Sequence, residues 1–294
     1  MSSLRILVIG RNGQVARSLQ YRAELQGIPI LCVGREQYDL SRAARMPVEV
    51  EGFRPTIVVN AAAYTAVDKA ENDQEAAYAL NSVGPTVLAG LLRENNLPFI
   101  HISTDYVFDG SKADGPYRES DPTSPLGVYG KSKLAGEEGV LKEYPQTVIL
   151  RTSWVYSPFG NNFVKTMLRL SETRSEISVV DDQYGCPTSA LDLAEAIIKI
   201  ASEVLENPTG DYGGVYHLCG GGEATWRALA EETFKAAGIE CKVHPITTAE
   251  FATPAKRPLN SRLIGVRAAE VFRLELKPWK HALNLVLKHL TNKN

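Results

Sequence analysis

Five apolar runs alternate with amphipathic stretches in the first half of the chain, the first run feeds straight into a glycine turn, and the alternation loosens beyond about residue 153. These three features predict an α/β protein: a Rossmann-type doubly wound parallel sheet with a smaller mixed α/β domain attached. Residues 4–9 read as a buried strand, the turn at Gly10–Gly13 follows, and a helix is expected over 14–25. Strands are expected at 28–33, 56–60, 99–103 and 147–151. A helical stretch over 72–95 carries Gly84-Pro85, which should interrupt it because proline disfavours helix at the residue before it. Another helix should begin near Val128. The second half predicts helices at 162–170, 191–205, 226–237 and 279–290, with strands at 177–180 and 215–218. The implied organisation is a dinucleotide-binding domain over 1–153, to which the chain returns around 177–206, and a mainly substrate-binding domain over 154–294.

The bulk composition excludes several classes. Of 294 residues, 44% are hydrophobic and 22% charged, and the net charge is −2 with both signs interspersed. A nucleic-acid binder would show a concentrated basic face. No apolar run approaches the roughly 20 residues that cross a bilayer, and Met1–Arg5 lacks the order of a signal peptide, so neither nucleic acid nor membrane is an expected partner and the cytoplasm is the expected compartment. Cys32, Cys186, Cys219 and Cys241 form no CxxC pair, which leaves no zinc spacing and no expected metal; only Cys186, in a Gly-Cys-Pro turn, is expected to be exposed.

Three motifs carry chemistry. Gly10-Arg11-Asn12-Gly13-Gln14-Val15-Ala16 follows a strand and opens a helix, where glycines permit close backbone approach to a pyrophosphate at the positive helix end. The second strand runs into Gly34-Arg35-Glu36. An arginine here favours the 2′-phosphate of NADP, so NADPH is expected, with NADH left open by Glu36 and a solvated loop arginine as the alternative. Asp39 and Leu40 are expected near the adenine. Tyr129 and Lys133 stand four apart, hence on one helical face, and an ammonium there should draw the phenol pKa down so that it exchanges a proton. Thr104, at the tip of the fourth strand, supplies a hydroxyl where ligands bind in such sheets.

With these motifs in place, the chain resembles the extended short-chain dehydrogenase/reductase family over nearly its whole length. The resemblance extends to Asn60–Glu71 (NAAAYTAVDKAE), Ser103–Phe108 (STDYVF), the run at 129–137 (YGKSKLAGE) and that at 151–156 (RTSWVY). It continues through 161–168 (NNFVKTML), 182–188 (DQYGCPT) and 257–263 (RPLNSRL). It implies NADPH-dependent reduction at C4 of a dTDP-linked keto-deoxysugar, dTDP-4-dehydro-L-rhamnose, to dTDP-L-rhamnose. By that resemblance Thr104 holds the carbonyl oxygen, Tyr129 protonates it, and Lys133 binds the ribose. Ala61, Ala62, Ala63 and Thr65 would line the dinucleotide, while Thr104, Asp105 and Trp154 would contact the sugar, with core packing as the alternative for Trp154. Arg257 would pair with the sugar-nucleotide pyrophosphate, or else make a surface salt bridge. A homodimer is possible, but Arg17 stands where some members carry a glutamate of a metal-bridged dimer, and Ala16 stands where glycine is usual. The competing readings are a non-catalytic NADP-binding subunit of the type that regulates methionine adenosyltransferase, and a reductase of another nucleotide 4-keto-6-deoxysugar.

Overall fold

The sheet forms because its strands are apolar on both sides. The computed structural model describes residues 3–46 and 52–291. β1 (Ile6–Ile9) and β3 (Ile57–Asn60) are buried at every position, as expected of parallel strands covered on both faces. With β2 (Ile30–Val33), β4 (Phe99–Thr104), β5 (Val148–Thr152) and a late strand at Gly214–His217, they form one six-stranded sheet whose neighbours all run parallel. The order runs from the late strand through β5, β4, β3 and β1 to β2, so the winding reverses between β1 and β3. Loops diverge at that point, and the crevice beyond the carboxyl ends of the strands opens there.

Helices cover both faces. α1 (Gln14–Leu25) packs Ala16 and Leu19 on one side, beside Leu193, Ile197 and Ile200 of the long helix Ala190–Glu206. On the other face, Leu88 and Leu92 of the helix Gly84–Glu94 meet Val140 of the helix Val128–Glu143. The stretch expected as one interrupted helix is continuous but widened: a π-helical turn, Ala79–Val83, lies between Gln74–Tyr78 and Gly84–Glu94. Pro85 has no N–H to return to the carbonyl four residues back, at Asn81. That carbonyl lies against the neighbouring helix, and a Cβ on Gly136 would stand 2.0 Å from it.

The second half departs from expectation, with an unanticipated helix at Val266–Phe272 and a different strand pairing. The strand anticipated at 177–180 does not join the large sheet. It spans Glu176–Val180 and pairs in parallel with Lys242–Ile246, a strand not anticipated because His244 and Pro245 break its apolar pattern. The return to the sheet is made instead by Ala190–Glu206 and Gly214–His217. A separate core of Tyr156, Phe159, Trp279 and Leu283 underlies this half, next to one of Met167, Ile177, Phe234 and Val243. Among the described residues, no helix is long and apolar enough to cross a membrane.

Candidate active site

The crevice at the switch point is a cleft in two connected halves, of about 440 and about 460 Å³, which share Asn12, Gly13, Ala61, Ala62 and Ala63. Gly10 follows β1 with φ +111°, and a Cβ there would meet Ala62 N at 3.0 Å. The turn therefore lies flat on the loop after β3, where Ala61 N donates to Ile9 O at 2.9 Å. Gly13 caps α1 without a side-chain hydrogen bond, and no acidic residue lies in the first turn. Free N–H groups at an uncapped helix start fit a pyrophosphate.

The first half of the cleft is lined by Gly10, Arg11, Arg35, Asp39 and Leu40. The Arg35 side chain is 81% exposed, and its Nε lies 3.2 Å from Asp39 Oδ2. Asp39 Oδ1 accepts from Ser41 Oγ at 2.6 Å and Ser41 N at 3.1 Å. The serine hydroxyl, and after it Arg35, hold the Asp39 carboxyl below its ordinary range. Glu36 is exposed and does not line the cavity.

The second half gathers Gln14, Val15, Thr65, Thr104, Asp105, Tyr129, Lys133 and Trp154. Tyr129 sits in the first turn of Val128–Glu143, whose start is fixed by Val128 N donating to Glu71 Oε1 at 2.9 Å. The glycine in YGKSK has a steric reason: a Cβ on Gly130 would stand 2.2 Å from the Tyr106 carbonyl oxygen. That close approach brings the end of β4 beside the helix, with the Tyr106 and Tyr129 rings 5.7 Å apart, edge to face. Thr104 Oγ1 lies 3.0 Å from Asp105 Oδ1 and accepts the Tyr106 N–H at 3.3 Å.

Burial governs the protonation of this end. Lys133 is 1% exposed, and its Nζ donates to Ile102 O at 2.6 Å while standing 3.5 Å from His101 Nε2. Desolvation lowers its pKa to about 8 against the opposing pull of Glu137. The expectation that Lys133 draws the Tyr129 phenol down is corrected: enclosure pushes it up to about 12, because the ammonium is turned onto the Ile102 carbonyl. A phenol held in its protonated form suits a proton donor. Asp105, 3% exposed, is raised by burial to about 7, with the Ser261 and Thr104 hydroxyls opposing. His101 is fully buried, and desolvation, then Lys133, keeps it neutral. The Asn60 amide holds its other nitrogen: Nδ2 lies 3.0 Å from His101 Nδ1 while Oδ1 accepts the Ala62 N–H at 3.1 Å.

Arg257 makes the salt bridge that was the second of its two expected roles, and the expected exposure of Cys186 is corrected. Arg257 does not line either half of the cleft; its Nη2 lies 2.7 Å from Asp68 Oδ2, so its charge is already met by a carboxylate 189 residues away. Cys186 is 3% exposed rather than open, because its thiol faces the Leu263 carbonyl. Trp154 does line the cavity, at φ +45°, with its ring stacked 3.6 Å from Trp226. Trp226, His101 and Asn60 were missed. The two polar residues left a trace, as breaks in apolar strands, whereas Trp226 merely opens an ordinary helix. Gln14 also ties the halves of the chain together, since its Oε1 accepts from Asn162 Nδ2 at 3.0 Å and its Nε2 donates to Val155 O at 3.1 Å. Arg17 lies over the Phe159 ring at 4.8 Å.

Relatives share this whole span. The chain is 45% identical to the dTDP-4-dehydrorhamnose reductase of Sinorhizobium fredii, over 95% of each chain. It is 40% identical to that of Salmonella typhimurium over 98% of each. Among solved structures it superposes with a TM-score of 0.89, at 33% identity, on the dTDP-4-dehydrorhamnose reductase of Bacillus anthracis in complex with NADP, covering 98% of this chain and 100% of that one. The family described as the RmlD substrate binding domain matches residues 4–292. Because that match takes in the glycine turn, both halves of the cleft and the strand pair of the second half, the chain belongs to the RmlD substrate binding domain family.

Proposed function

We propose that this protein is an NADPH-dependent oxidoreductase that reduces the C4 ketone of dTDP-4-dehydro-L-rhamnose to dTDP-L-rhamnose, the final step of dTDP-rhamnose biosynthesis. The observation that carries the reading is the convergence of Thr104, Tyr129 and Lys133 on one cavity that continues into the glycine cradle. The names of full-length relatives at 40–45% identity support the substrate, and the NADP complex of the Bacillus anthracis protein supports the cofactor. The residues present fit a dinucleotide: a helix start with no side-chain cap, a turn whose Gly10 holds φ +111° with a Cβ crowded at 3.0 Å, and cationic side chains at the far end.

In this reading NADPH, when bound, supplies the hydride. Gly10–Gly13 and the start of α1 would hold its pyrophosphate, Arg11 and Arg35 would supply positive charge for the 2′-phosphate, and Lys133 would hold the nicotinamide ribose. Thr104 and Tyr129 place hydroxyls at the carbonyl oxygen, and Tyr129 delivers the proton. Asp105 and Trp154 contact the sugar. Residues 1–153 with the returning helix serve the cofactor, and 154–294 mainly serve the substrate. A biosynthetic enzyme fed by NADPH fits the cytoplasm.

The test is NADPH oxidation with enzymatically generated dTDP-4-dehydro-L-rhamnose, with NADH as control. Oxidation that yields dTDP-L-rhamnose is expected. A folded protein that binds NADPH yet oxidises neither cofactor would overturn the reading.

A further inference from the structure

Besides its assigned contact with the sugar, Asp105 presents a carboxyl group to Thr104, with Oδ1 3.0 Å from Oγ1. It lies directly after Thr104, is 3% exposed, and lines the reactive half of the cleft. Its Oδ2 is buried with no partner at hydrogen-bond distance; the Ser261 and Thr104 hydroxyls and the backbone N–H groups beside it favour the ionised form, but burial outweighs them. A charged carboxylate oxygen left in that position would be strongly disfavoured, whereas an acid group is not. The titratable groups that feel Asp105 are Tyr106, Tyr129, Cys186 and Cys219, and none is a cation that would hold it ionised. The nearby cations are turned away, Lys133 onto Ile102 O and Arg257 onto Asp68.

The hydrogen count at Thr104 makes this consequential. A hydroxyl has one proton and two lone pairs. One lone pair of Thr104 Oγ1 takes the Tyr106 N–H, Asp105 Oδ1 stands 3.0 Å away, and the Tyr129 hydroxyl, which shares the ketone oxygen with Thr104 in the ketone-reduction reading, is the remaining neighbour of the same side chain. An ionised Asp105 can only accept, so it would take the single Thr104 proton and leave nothing to offer a ketone. A neutral Asp105 can donate into the second lone pair, and the threonine proton then points outward. We propose that Asp105 works in its neutral acid form, donating its proton to Thr104 Oγ1 so that the Thr104 hydroxyl is free to donate to the substrate carbonyl. No proton is consumed at Asp105; it acts through Thr104 as a positioning residue. Burial, which raises this carboxyl to about 7, keeps enough of the acid form for turnover near neutral pH.

The inference rests on the ketone-reduction reading. The experiment compares the pH dependence of kcat for the wild type, Asp105→Asn and both forms in a Thr104→Ala background, with NADPH binding as the check on folding. An asparagine amide always donates and does not titrate. Above its midpoint the acid form of Asp105 is lost about tenfold per pH unit. Asp105→Asn is therefore expected to raise the ratio of rates at pH 8 to pH 6 by about fivefold to tenfold. The alkaline limb that remains belongs to Lys133, near 8. In the Thr104→Ala background the same exchange should not move the profile. Carboxyl-13C aspartate labelling gives a readout independent of turnover: the resonance missing from Asp105→Asn should titrate near neutrality, above the usual aspartate value of about 3.9. Titration in that ordinary range, or an alkaline limb unmoved in Asp105→Asn while the wild type turns over, overturns the inference alone. A wild type that does not turn over removes the ketone-reduction reading and this inference with it.

Discussion

The two ends of the cleft are built from the same loops but on opposite principles. At the far end, Arg35 is 81% exposed and its partner Asp39 is reached by water, so their interaction is screened. At the reactive end, Lys133 is 1% exposed, Asp105 3% and Thr104 5%, and the enclosed groups Tyr129, Lys133 and Asp105 are each displaced toward the neutral state. Proton transfer needs fixed geometry and a controlled protonation state, and burial supplies both. Recognising a phosphate needs only positive charge within reach, which an exposed arginine provides. Substitutions should therefore cause large effects at one end and graded effects at the other.

The contrast is sharpest at Tyr129. Tyr129→Phe should lower kcat by about 10²- to 10⁴-fold, the usual worth of a general acid, while NADPH binding measured by fluorescence persists. Retained turnover would remove Tyr129 from its assigned role. Next is Gly130→Ala, which touches no reactant. Its Cβ would be driven into the Tyr106 carbonyl, so the helix and the strand end must part. Overpacking of about 1–3 kcal/mol should appear in the denaturant midpoint, and displacement of Tyr129 from Thr104 should reduce kcat by about 10²-fold. An unchanged kcat would show that the close approach is not what aligns the two hydroxyls.

Asp105 gives a stability counterpart. Its folded-state pKa, about 7, lies above the ordinary 3.8, so the native state binds more protons than the unfolded state between those values. Stability from this group is thus present at low pH and lost as pH rises through about 7. Asp105→Asn should match the wild type more closely near pH 5 and exceed it near pH 8, by on the order of 2–4 kcal/mol at most, read from thermal unfolding. The smallest effect belongs to the exposed end: Arg35→Ala should raise the KM for NADPH about fivefold, equivalent to about 1 kcal/mol, and leave that for NADH nearly unchanged. A loss as large as that at Tyr129 would break the contrast.

The features legible in the sequence are the ones set by local spacing. The glycine turn, the strand periodicity and the Tyr129–Lys133 interval place residues on one turn, one strand or one helical face. Thr104 was legible because the end of a parallel strand is a known position for ligands. The pairing of Asp68 with Arg257 spans 189 residues and left no local mark, so the sequence offered Arg257 either a ligand or a salt bridge without naming the carboxylate it meets. His101 and Asn60 show in the sequence only as polar breaks in apolar strands, with nothing to say that they pair, and Trp226 becomes part of the site only where its ring meets Trp154.

By itself, then, the sequence determined the doubly wound class, the position of the glycine turn and the placing of Tyr129 and Lys133 on one helical face, because each depends on contacts between residues a few positions apart. Tertiary structure alone decided which groups are charged. The Tyr129 phenol is pushed up, the Lys133 ammonium down and the Asp105 carboxyl toward neutrality because segments far apart in the chain close over them and exclude water. Desolvation is a property of the surroundings, and those surroundings exist only once the chain has folded.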